Sequence, residues 1–65
     1  MQKYKERVVV ERDELLDKIS KLTKFLYSKR VLDTPLAEQE RMQKQLYIML
    51  EYARILGERI RAFKK

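Results

Sequence analysis

Seven apolar residues, Met42, Leu46, Met49, Ala53, Leu56, Ile60 and Phe63, follow one another at alternating steps of four and three. That spacing stacks side chains along one stripe of an α-helix and fits no strand, whose side chains alternate at every second residue. A second set, Ile48, Tyr52 and Ile55 continuing to Arg59, repeats the spacing. At about 100° of turn per residue it is expected almost diametrically opposite the first. One helical neighbour covers only one face, so a helix that is apolar front and back implies two partners or an apolar patch left in water. The pattern therefore predicts an oligomer.

Size strengthens that expectation. The chain has 65 residues, enough for one small domain. Below roughly 70 residues a single core seldom outweighs chain entropy without disulfides, a metal or association. Cysteine and histidine are both absent, so disulfides are excluded and the usual zinc ligands are missing. Association is the route left. The lack of cysteine fits a reducing cytoplasm.

From about residue 2 to 29 nothing interrupts a helix, since glycine and proline are absent there. Val8, Leu15, Ile19, Leu22 and Leu26 mark its inward stripe, Tyr4 extends it, and Arg12 interrupts it. Val9, Leu16 and Tyr27 flank the stripe on one side and Phe25 on the other. The triplet Val8-Val9-Val10 is strand-like in composition, but no second such run exists to pair with it. The break is expected over about 30–34. Thr34 followed by Pro35 reads as an N-cap and first helical residue, with Glu38 and Glu40 placing negative charge near the helix start. A second helix then runs over about 35–63. Its one glycine, Gly57, is expected to permit close helix packing, because Ile60 and Phe63 continue the period.

Two helices of similar length with a short connection predict an all-α fold, an antiparallel hairpin over residues 1–65 that assembles into a homo-oligomeric bundle. The hairpin brings Lys3, Lys5 and Arg7 near Arg59, Arg61, Lys64 and Lys65, opposed locally by Glu6 and Glu58. Tyr4 and Phe63 belong to the same end. A basic cluster with aromatic faces can hold a phosphate and stack a base, and the formal net charge of +6 favours such partners.

Other classes are disfavoured. There is no histidine base, cysteine nucleophile or glycine-rich phosphate loop, so no enzyme, cofactor or metal is expected. Asp13-Glu14 and Glu38 with Glu40 sit among lysines and arginines as solvated helix surface. No apolar run approaches the roughly 18 residues that cross a bilayer, and Val8-Val9-Val10 is too short for the core of a signal peptide. A soluble, unexported protein is expected.

The pattern Tyr4, Arg7-Val8-Val9, Glu11, Glu14-Leu15, Lys18, Lys21-Leu22, Phe25-Leu26, then Gln45-Leu46, Met49, Tyr52, Ile55-Leu56 and Arg59-Ile60 resembles a family of small helical phage proteins. That family includes the anti-CBASS cyclic-oligonucleotide sponges, and a similar hairpin occurs inside a related anti-Thoeris sponge. The resemblance spans nearly the whole chain; Arg7-Val8-Val9 and Glu58-Arg59-Ile60 are its most distinctive parts. It implies a homo-oligomer, in the sponge a hexamer, that sequesters cyclic oligonucleotides in the cytoplasm of the infected bacterial host and does not cleave them. It also implies that cyclic dinucleotides are held between subunits by an aromatic residue and a lysine of the first helix, here Tyr4 and Lys18. Cyclic trinucleotides would be held in a separate pocket by an arginine of the second helix, here Arg59. The sequence departs from the pattern at Ile19, where the resemblance suggests a threonine after the lysine. That departure puts weight on the dinucleotide site.

Two further classes compete with the sponge. A basic hairpin that binds nucleic acid would explain the charge, but acids are interleaved with the basic residues along both helices and no recognition-helix motif occurs. A structural hairpin whose partner is itself or another protein explains the two apolar faces equally well and leaves the basic end as a solubility device.

Overall fold

The structure is a computed structural model, and it describes residues 3–63. The described residues form two α-helices, α1 (Lys3–Leu26) and α2 (Leu36–Ala62), joined by a short 3₁₀ turn (Lys29–Asp33) and accompanied by no strand. The helices run antiparallel as a hairpin, 48 × 14 × 14 Å overall, with the ring of Tyr4 at the start of α1 against that of Phe63 just after α2. Gln2, Lys64 and Lys65, which the sequence places at the same open end, lie outside the described residues.

The first helix stops at Leu26, earlier than residue 29, and Ser28 supplies the reason. Its backbone is extended, at φ −94° and ψ 161°. Its N–H (3.0 Å) and its hydroxyl (2.7 Å) both donate to the carbonyl of Phe25. A serine that bonds the preceding turn in this way competes with helix continuation, and here it prevails.

The start of α2 also differs from expectation. Thr34 makes no side-chain cap; Pro35 occupies the cap position, with ψ 144°, and its carbonyl accepts from the N–H groups of Glu38 and Gln39 at 3.0 Å each. Thr34 is held extended, φ −97° and ψ 135°, as the ring of a following proline requires. What ties the connection down is Gln39. Its side-chain amide donates to the carbonyls of Val31 (2.9 Å) and Thr34 (2.8 Å), the first of which also accepts the Thr34 N–H at 3.0 Å.

Val8, Leu15 and Ile19 of α1 and Leu56 of α2 form the buried core, with Leu46, Met49, Ala53, Ile60 and Phe63 packed around them and partly covered. Leu56 is the most enclosed, 1% exposed. Arg12 falls within the inward stripe of α1, and it turns its guanidinium to Asp13 at 3.1 Å and so leaves the core apolar. Four buried side chains contribute about 1.5–3 kcal/mol each. Ordering the backbone costs about 1–2 kcal/mol per residue, so this core is small for the length of chain it must order.

The second apolar set of α2 is exposed but is not opposite the core stripe. Ile48 and Leu50 stand one residue to either side of Met49, hence about 100° to either side of the stripe. They are 65% and 50% exposed. Tyr52 and Ile55 share the flank of Ile48, and Leu36 and Tyr47 share that of Leu50, all of them exposed. The back of α2 carries Lys44, Glu51 and Glu58. Both flanks of the helix are thus apolar and uncovered. Gly57 is also corrected: a Cβ there would meet only Arg61 Nη1, at 3.6 Å, so no neighbouring helix requires glycine within the hairpin.

Candidate functional site

Tyr4, Lys5, Arg59, Ala62 and Phe63 line an open cleft of about 410 Å³ where the two ends of the hairpin meet. Tyr4 and Lys5 come from the first turn of α1. Arg59 and Phe63, four residues apart, share one face at the end of α2. Phe63 is held in helical geometry (φ −63°, ψ −22°), and its N–H donates to the carbonyl of Ile60 at 3.1 Å. Its ring meets that of Tyr4 edge to face, with centroids 5.6 Å apart and planes at 85°. The ammonium of Lys5 stands over the Phe63 ring, 5.4 Å from its centroid. Tyr4 keeps 54% of its surface exposed, so the aromatic corner opens to solvent.

The charge in this cleft is unopposed among the described residues. No ion pair reaches Lys5 or Arg59 there, and Glu58, the acid next to Arg59 in sequence, is bound to Arg54 instead. Arg54 also holds Glu51, with nitrogen–oxygen distances of 3.1 and 3.3 Å. The hydrogen bonds that Arg54 donates to Glu51, then the charges of Glu51 and Glu58, raise the pKa of Arg54 above its ordinary value. Both acids are spent there. The cleft is left with two cations from two helices beside two aromatic rings, a combination suited to a phosphate joined to a flat base.

The other hollows offer less. A larger one, about 520 Å³, is lined by Glu40, Gln43, Lys44, Tyr47 and Ile48 of α2 alone, and its charges cancel. Lys3 and Arg7 face a hollow shared with Glu6, Glu11 and Glu14, so these cations do not add to the open-end cleft. Chemistry ranks the smaller open-end cleft first. Among the described residues, no group of three or more acidic side chains is placed to hold a metal ion, and no helix is long and apolar enough to cross a membrane.

A family model of Sequestin matches residues 2–62. The chain belongs to the Sequestin family. It is also 43% identical over 61 residues to an uncharacterized 7.5 kDa protein from the denB-rIIB intergenic region of Enterobacteria phage T4, a match covering 94% of this chain and 95% of that protein. No solved structure matches. The sequence resemblance to a phage family of sponge-related hairpins thus holds at the level of family.

In this member of the Sequestin family, Tyr4 and Arg59 line the same cleft, although the resemblance assigns them to different ligand classes. Lys18 is not there. It lies about 21 Å further along α1, at 1.5 Å per residue. Its side chain is exposed, and Asp17, its sequence neighbour, is paired instead with Lys21 at 3.1 Å. Tyr4 and Lys18 of one hairpin therefore cannot grip one small ligand together. The contact of Lys5 with Phe63 was not apparent from the sequence, where Lys5 is one of several terminal cations. The available signals were its place next to Tyr4 and the four-residue step from Arg59 to Phe63.

Proposed function

We propose that this chain is a phage counter-defence sponge, a homo-oligomer, by resemblance a hexamer, that sequesters cyclic oligonucleotides, cyclic dinucleotides foremost, without cleaving them in the cytoplasm of the infected host. The observation that carries this reading is the basic, aromatic open-end cleft in a chain of the Sequestin family. A cyclic dinucleotide presents two phosphodiesters and two flat bases, so it calls for paired cations and stacking faces. Sequestration needs no acid, base or nucleophile. It needs affinity and slow release.

Assembly follows from the same logic. A single hairpin leaves Ile48, Tyr52 and Ile55 on one flank of α2 and Leu36, Tyr47 and Leu50 on the other exposed, and its core is small. Covering both flanks with further copies supplies the missing burial. It also offers a way for Lys18 of one copy to reach Tyr4 of another. The test is recovery of the ligand: the purified protein is incubated with a panel of cyclic di- and trinucleotides, freed of unbound ligand and heat-denatured. Intact nucleotide released on denaturation is the expected result. Cleaved product, or no ligand at all, overturns the sponge.

The exposed flanks equally favour a second reading, a basic self-associating hairpin with a structural or nucleic-acid-binding role. A defined oligomer that retains no member of the panel is its signature.

A further inference from the structure

Resting on the sponge reading, we propose that Lys5 and Phe63 are ligand-holding residues. In this assignment the open-end cleft of a single hairpin takes one nucleotide unit of the cyclic ligand, its phosphodiester between Lys5 and Arg59 and its base against the corner of Phe63 and Tyr4.

Lys5 stands where the dipole of its own helix disfavours it. The first turn of a helix is the positive end of its dipole, which attracts acids and repels cations. Arg59 needs no such explanation, since a cation in the last turn of α2 suits the negative end of that helix. At Lys5 the nearby negative end of α2 offsets that repulsion, the ammonium stands 5.4 Å from the Phe63 ring centroid, and no described carboxylate pairs with it. Two cations from different helices, both without an ion pair among the described residues and both lining one cleft, fit an anion that they would share. A phosphodiester is such an anion.

Size limits how much of the ligand enters. A cleft of about 410 Å³ lies at the lower end of the roughly 300–1,000 Å³ of small-molecule sites. It accommodates one nucleotide and leaves the remainder of a cyclic dinucleotide projecting from the hairpin. The perpendicular rings suit a base, because one laid on the face of either ring meets the other edge-on. Lys18, far along α1, then serves the projecting half from another copy.

Calorimetric titration of cyclic di-adenylate and cyclic di-guanylate into the parent protein, Lys5→Ala, Lys5→Arg and Phe63→Leu, each checked by light scattering, is the test. Lys5→Ala is expected to weaken binding roughly tenfold to over a hundredfold, as loss of a charged hydrogen bond to phosphate does. Lys5→Arg should restore most of it. Phe63→Leu keeps an apolar side chain on the core while removing the stacking face, with an expected loss of about fivefold or more at unchanged assembly. If the parent binds and both Lys5→Ala and Phe63→Leu bind equally well, the inference falls and the sponge reading stands. Loss of binding that only accompanies loss of assembly, with Lys5→Arg no better than Lys5→Ala, makes the two residues structural and likewise overturns it. A parent that binds neither nucleotide overturns both.

Discussion

The ring of Tyr4 stands edge-on to that of Phe63, 5.6 Å between centroids and 85° between planes, and so joins the first turn of α1 to the end of α2. This contact closes the open end of the hairpin and shapes the cleft beside it. An aromatic pair of this geometry contributes about 0.5–1.5 kcal/mol beyond the area it buries. A double-mutant cycle with Tyr4→Ala and Phe63→Ala, read by urea unfolding, should return a coupling energy in that range. A coupling indistinguishable from zero would show that the pair does not hold the ends together.

Leu56 should be the most sensitive position in the core. Among the described residues it is the one fully enclosed side chain, and it is the contribution of α2 to the buried core it forms with Val8, Leu15 and Ile19. Leu56→Ala is expected to cost about 2–5 kcal/mol in thermal or urea unfolding, the range for a buried leucine that leaves a cavity. Leu32→Ala, at an exposed position of the 3₁₀ turn, should change stability by less than about 0.5 kcal/mol.

The flanks of α2 should govern assembly. Ile48→Asp combined with Ile55→Asp charges one flank while leaving the buried residues untouched. Light scattering is expected to report a smaller species than the parent. Because association stabilises by mass action, the parent's unfolding temperature should rise with protein concentration. A parent that is hairpin-sized and unfolds at a concentration-independent temperature would remove the oligomer from the proposal.

Gln39 should hold the connection in place. Its amide bonds two backbone carbonyls, and hydrogen bonds of this kind contribute about 0.5–1.5 kcal/mol each. Gln39→Ala is expected to destabilise the hairpin by about 1–3 kcal/mol and to speed amide exchange in the 3₁₀ turn. Unchanged exchange at Val31 and Thr34 would count against the clamp.

Lys18→Ala and Tyr4→Ala should each weaken cyclic dinucleotide binding by roughly tenfold to over a hundredfold without dissolving the assembly, as a partly enclosed charged or stacking contact implies. Arg59→Ala discriminates: an effect confined to cyclic trinucleotides or to the subunit contact is what the family resemblance implies, whereas weaker cyclic dinucleotide binding is what the cleft shared with Lys5 implies. Titration of the three variants beside size measurements separates these outcomes. Parent-like binding by both Lys18→Ala and Tyr4→Ala would remove those residues from the site.

Much of the architecture was legible because it is local. The alternating steps from Met42 to Phe63 specify a helix and its buried stripe whatever lies around it, and the Pro35 break specifies where the chain turns. With two helices and a short connection, it follows that Tyr4 and Phe63 belong to the same end of the hairpin. Other features depended on three-dimensional detail. Ser28 ends α1 early, Pro35 takes the cap expected of Thr34, and Gln39 reaches back across the connection, each through a choice among competing hydrogen bonds that propensity does not rank. The cleft is a matter of register. Sliding one helix by a turn would preserve every apolar stripe, yet it would separate Tyr4 and Lys5 from Arg59 and Phe63. Only the packed hairpin decides that these four residues converge and that Lys18 stands apart, because periodicity specifies which face a side chain occupies and packing specifies which residue it meets.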